Sequence, residues 1–202
     1  MHKSQSIRVP AFCALIALGA ASLMLASSAK AGPDLSTPKK AALAFTKGIE
    51  TGDMDSVKAA SVGTDEDYAA LKSMSDMLSS MKRMQAALIK KFGDDAKQMG
   101  DLSSTMSKQI EGAEEKVDGD SATLVVKPDD KNPPTLKKTG TEWKMDLKVM
   151  TSSPDFGKMK EMAPKAIPLI DGFTKDIDAG KYASFPEALQ ALGQTMGKLG
   201  AP

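Results

Sequence analysis

Imidazole and thiol are almost missing from this chain: 202 residues carry one His and one Cys. Aromatic residues make up only 4% of it, so the core must be built from aliphatic and thioether side chains. Neither sign of charge dominates, with 27 Lys plus Arg against 26 Asp plus Glu. That balance excludes the strong global field of a nucleic-acid or anionic-membrane binder. No Gly-x-Gly-x-x-Gly, phosphate-binding loop or Gly-x-Ser-x-Gly occurs. A hydrophobic fraction of 41% with 26% charge excludes a wholly disordered chain.

The rare residues sit where they cannot serve a mature protein. Residues 1–31 read as a secretory signal peptide. His2, Lys3 and Arg8 make a basic start, and 12–25 is mostly apolar. Ala29-Lys30-Ala31 is an A-x-A cleavage site. The apolar run is too short for a comfortable span, and no second one follows. The expected location is periplasmic or secreted, with no stable membrane insertion after cleavage. Removing 31 residues leaves 171, without the chain's only Cys (Cys13) and only His (His2). Losing Lys3, Arg8 and Lys30 turns 27 basic residues into 24 against 26 acidic, a net of −2.

The mature chain then has no disulfide, Ser-His-Asp triad, thiolate nucleophile or histidine acid/base, and no ordinary zinc or haem ligation. No cofactor is expected. One Arg remains, Arg83, and platforms of aromatic side chains are lacking, so nucleic acid is not expected as a partner.

What is present reads as one α+β domain over 32–202. Its parts are helical (37–93), antiparallel sheet (111–148) and C-terminal helices (155–200). Thr37 is an N-cap and Pro38 a first helical residue; Ala42, Phe45 and Ile49 follow at helical spacing until Gly52. Asp53 caps a short second helix. Thr64 with Asp67 is a capping-box variant that opens a long helix to about Phe92, stopped by Gly93. Its residues Leu71, Met74, Met77, Leu78, Met81, Met84, Leu88, Ile89 and Phe92 fall within an arc of about 140°. Residues 94–108 read as loop plus a weak helical turn.

Period two begins with Ala113, Glu115 and Val117. Asp118-Gly119-Asp120 marks a hairpin, 122–126 a strand, and 135–139 with 142–147 a second hairpin around Gly140. After Pro154 the helical period returns, with Pro164 and Pro168 expected to interrupt its early part. Ile170, Phe173 and Ile177 form a stripe ended by Gly180. A last helix starts near Ser184, with Leu189, Leu192, Met196 and Leu199 on one face. Residues 45–52 and 173–180 echo one another, which similar helix endings explain.

The candidate chemistry is thin. Met74, Met77, Met81 and Met84 put thioethers one turn apart, the soft ligands that suit Cu(I). The same stripe, continuous with Leu71 and Leu88, is what a Met-filled core looks like. Carboxylates pair at 65–67, 94–95, 114–115 and 129–130, without the spacing of a Ca²⁺ loop.

Three phrases carry a resemblance. They are 37–45 with Gly52-Asp53, then 117–125, then 136–147 around Trp143. Together they resemble extracytoplasmic members of the nuclear transport factor 2-like (cystatin-like, cone-shaped) superfamily, over about 37–148. The resemblance implies N-terminal helices on a small curved antiparallel sheet. It also implies a pocket lined by Leu124, Trp143, Met145 and Leu147. It does not imply a reaction, since the His/Asp and Asp/Arg constellations of that superfamily's enzymes are not readable here.

The expected function is a non-enzymatic binding or interaction module. An apolar cone pocket or the Met-rich helix face would hold a small apolar ligand or a protein partner. The alternatives are a carboxylate-dependent enzyme in the cone and a Met-based Cu(I) binder. Oligomeric state is not readable.

Overall fold

A computed structural model describes residues 32–97, 105–127 and 133–197. The signal-peptide reading, the Asp129-Asp130 pair and Leu199 lie outside the described residues.

Local capping sets the first elements. Helix α1 (Pro38–Thr51) starts where Thr37 accepts the Lys40 N–H and ends at Gly52, whose φ of 78° needs no Cβ. Asp53 accepts the Ser56 N–H at 3.2 Å and opens α2 (Met54–Ala59). A two-residue strand, β1 (Ser61–Val62), follows. Helix α3 (Asp65–Phe92) carries a full capping box. Asp67 N–H donates to Thr64 Oγ1 at 3.2 Å, and Thr64 N–H donates to Asp67 Oδ2 at 2.8 Å. Acids fill its first turn and Lys90 and Lys91 its last, both favourable to the helix dipole. Its 28 residues span about 42 Å.

Residues 94–108, read as loop plus a weak helical turn, hold α4 (Asp94–Lys97) and the start of α5 (Thr105–Gly112), with 98–104 outside the described residues. The start of α5 is satisfied from a distance. Glu50 on α1 accepts the Ser107 N–H at 3.0 Å and its hydroxyl at 2.7 Å. A cap supplied from 57 residues away leaves no local signature.

Strands β2 (Glu114–Asp118) and β3 (Ser121–Val125) form one hairpin, and β4 (Thr135–Thr139) and β5 (Glu142–Asp146) the next. Positive-φ Gly119 and Gly140 turn them. The sheet order is β1-β5-β4-β3-β2. It is mixed, not purely antiparallel as expected, because β1 pairs parallel to β5, with Ser61 beside Met145. Two residues between helices are too few to show a period. On β2 the expected buried alternation fails: Ala113, just before the strand, is buried, but all five strand residues are exposed and Val117 is 54% accessible. The strand lies at the edge of the sheet, and its charges suit an open edge.

Helix α6 (Leu147–Thr151) leads to α7 (Pro154–Asp178) and α8 (Phe185–Gly197). Pro164 and Pro168 do not interrupt α7. Both lie on its exposed face, where water can reach the carbonyls of Lys160 and Pro164 that lose their N–H partners.

Apolar burial divides into two cores along α3. The first joins the sheet to α1 and to the N-terminal half of α3 through Phe45, Ile49, Leu71, Leu124 and Leu136. The second joins the C-terminal half of α3 to α7 and α8 through Met84, Leu88, Ile170, Phe173 and Ile177.

Where α1 meets α2, a Cβ added to Gly48 would lie 2.7 Å from Val57 Cγ2 and 3.0 Å from the Asp53 carbonyl oxygen. Gly48→Ala is expected to cost about 1–3 kcal/mol in urea unfolding, through overpacking. Gly157→Ala in α7 meets open space and should stabilise by about 0.5–1 kcal/mol. Equal effects at the two sites would contradict the close α1–α2 approach.

Candidate functional site

The four residues expected to line a pocket do converge. Leu124 comes from β3, Trp143 and Met145 from β5, and Leu147 from the first turn of α6. The register Leu136 to Met145 places β4 and β5 side chains on the same sheet face. All four are buried in the first core, and Phe45 and Ile49 of α1 belong to the same core. Trp143 is held by its N–H to the Leu35 carbonyl at 2.9 Å, and Lys138 Nζ lies 5.9 Å from its ring centre. These residues form a packed floor, and Met145 also faces a cavity.

That cavity, of about 120 Å³, lies where β5 passes into α6. Its walls are Pro133, Pro134, Met145, Val149 and Met150, with Asp146, Thr135 and Ser153 supplying polar groups. Asp146 is also the N-cap of α6. Its Oδ1 accepts the Lys148 N–H at 3.1 Å, and its Oδ2 lies 2.6 Å from Lys137 Nζ. Sequence reasoning named Met145 but missed the rest. The signals were the Pro133-Pro134 step and the apolar Val149-Met150 pair, which no periodicity connects.

A second depression, open and about 380 Å³, runs along α1 and α2 between Asp34, Lys40, Leu43, Lys47 and Asp53. Lys40, then the Ser36 hydroxyl and N–H, hold the Asp34 carboxyl well below the usual carboxylate range. The group is at the surface, so this ion pair adds little to stability.

The paired carboxylates serve helix ends and ion pairs. In the 65–67 group, the Thr64 N–H is the main cause that holds the Asp67 carboxyl below its ordinary 3.8, with help from the hydroxyls of Thr64 and Thr151. Glu66 pairs with Lys160 at 2.6 Å, and Asp94 with Lys97 at 2.6 Å. Glu115 accepts the Lys39 N–H at 3.0 Å, tying the edge strand to the start of α1. Among the described residues, no group of three His, Cys, Asp or Glu side chains converges on a metal position.

The four methionines divide between the cores. Met74 packs against the first; Met77 and Met81 pack against the second, where Met84 is buried. Arg83 binds Asp171 at 2.9 Å and the buried Ser80 hydroxyl at 2.8 Å, joining α3 to α7 beside them. Arg83 first, then Ser80, lowers the Asp171 carboxyl below 3.8.

No family model, curated protein or solved structure matches the chain. Its class rests on its own geometry: an α+β protein whose helices pack against an open five-stranded mixed sheet. No helix among the described residues is long and apolar enough to cross a membrane.

Two outcomes follow from these contacts. Asp67 and Asp171 have folded-state pKa values below the unfolded value. Their stabilisation is complete above the unfolded pKa and is lost as pH falls through the folded one. The urea midpoint should therefore drop between about pH 5 and pH 2, and the drop should shrink in Asp171→Asn. A midpoint that is level over that range would contradict both pairings. Separately, Met84→Ala should cost about 2–5 kcal/mol, while Met84→Leu should cost under about 1.5 kcal/mol. Equal costs would mean the thioether itself is needed, not its volume.

Proposed function

We propose that the protein is an exported, non-enzymatic binding module that holds a small apolar molecule in the cavity between β5 and α6. We propose with it a cone-shaped architecture of the nuclear transport factor 2-like kind. Two short helices, a long helix and two hairpins follow one another in the order that this resemblance implies. The observation that carries the binding reading is the cavity of about 120 Å³, whose walls are mostly apolar. An apolar cavity of about 150 Å³ is known to take up benzene, so a body of about four to six non-hydrogen atoms suits this one.

The mature composition supports a binder over an enzyme. Once residues 1–31 are removed, no thiol or imidazole remains, and the one carboxylate among the described residues of the cavity wall, Asp146, is bonded to Lys137 and the Lys148 N–H. The location that goes with this reading is periplasmic or secreted, resting on the basic, apolar and A-x-A pattern of residues 1–31.

Methyl-detected NMR of the purified protein with benzene and cyclopentane tests the site. Saturable shifts of the Met145 and Met150 methyls, with a raised melting temperature, are expected. Shifts spread over the surface, or none at these two methyls, would overturn the reading. Mass spectrometry tests the location: the chain should begin at Gly32 in the extracytoplasmic fraction. A full-length chain confined to the cytosol would refute export.

A further inference from the structure

Resting on the cavity reading, we infer that its ligand is a small primary alkylammonium, with Asp146 as the counter-ion and the apolar walls enclosing its short chain. The carboxylate of Asp146 carries this inference. Pro133 and Pro134 have no N–H, and the Pro134 carbonyl already accepts the Leu124 N–H at 2.9 Å. The Thr135 hydroxyl is spent on the Pro133 carbonyl at 3.2 Å. Ser153 Oγ accepts the Phe156 N–H at 3.2 Å, which leaves its own O–H as a donor. Asp146 is the one charged residue among the described residues of the wall. The open lone pairs of Asp146 are therefore the charged acceptor that the described lining offers a ligand. A carboxylate or phosphate ligand has no favourable bond to make with that carboxylate; an ammonium has.

Asp146 has room for such a partner. An ionised carboxylate has about four lone-pair positions, and the Lys148 N–H and Lys137 Nζ account for two here. The side chain of Asp146 is only 11% exposed, whereas that of Lys137 is 63% exposed. Lys137 thus reaches a nearly buried carboxylate from the solvent side, on a flexible stem. It is a competitor that a ligand ammonium inside the cavity can displace or share with. Burial matters because charge-assisted hydrogen bonds are stronger where water is excluded. The cavity's size limits the chain to about four or five carbons.

The test compares three probes of one length on the full chain: n-butylammonium, n-butanol and butyrate, followed by the methyl shifts of Met145 and Met150. Butylammonium should bind at least about tenfold tighter than butanol, and butyrate should not bind. Lys137→Gln, an exposed substitution that removes the competing cation, should tighten butylammonium by several-fold and leave butanol alone. Asp146→Asn keeps the cap's acceptor and should bring butylammonium down to the butanol affinity. Butanol binding as tightly as butylammonium, or a Lys137→Gln change that weakens the amine, would overturn the alkylammonium inference and leave the cavity reading standing. If no probe shifts either methyl, the cavity reading itself fails.

Discussion

The other elements depend on α3 serving two cores at once. Leu71 and Leu88 are both fully buried on this helix, yet Leu71 packs with the sheet and Leu88 with α7 and α8. An isolated helix of this length is only marginally stable in water, so its order comes from those two apolar contacts. They also set where everything else goes. The N-terminal half fixes α1 through Ser75, whose hydroxyl donates to the Ile49 carbonyl at 2.7 Å. Further along, Lys82 donates to the Glu50 carbonyl at 2.6 Å, and Glu50 in turn caps α5. Among the described residues, no buried side-chain nitrogen or oxygen lacks a partner, which is the condition for burying them at low cost.

Arg83 shows how this spine joins the long C-terminal helix. It lies on α3, and its guanidinium holds both Ser80 and Asp171. Small side chains at Ser80 and Ala163, both buried, are suited to a close approach of α3 and α7. The two prolines of α7 are kept on the face away from that contact. Their missing donors then cost little, and the helix can curve around the core with its convex side to water.

Local signals were legible and distant ones were not. Thr37, Asp53 and Thr64 cap the helices that the sequence assigns to them, and Gly52, Gly93, Gly119 and Gly140 take the positive φ their turns need. The echo of 45–52 in 173–180 has the same origin: Gly52 and Gly180 both end helices at positive φ, 78° and 74°. By contrast, β1 is defined only by its parallel neighbour β5, and α5 by a carboxylate on α1. Neither partner is near in sequence. The site divides in the same way. Leu124, Trp143, Met145 and Leu147 share an apolar face that alternation reveals. The cavity beside them needs the β4–β5 register, which sets Leu136 against Met145 and so brings Pro133 and Pro134 up to the start of α6.

A chain with one Cys and one His in 202 residues has carboxylates as its main polar anchoring groups. Here those carboxylates are used first for architecture. Asp53, Asp67 and Asp146 accept backbone N–H groups at the starts of α2, α3 and α6, and Glu50 does so for α5. Asp53 also lies on the open α1–α2 depression. Asp146 differs, because capping a five-residue helix at the end of a strand leaves the same carboxylate on the wall of an apolar space. Its ion pair to Lys137 reaches it from outside, so the cap and the charge partner occupy different oxygens. A group held in place by one oxygen and balanced by a mobile cation on the other is preorganised for a second cation. That position follows from the fold's own need to start α6, and no separate catalytic or metal-binding motif is required to create it.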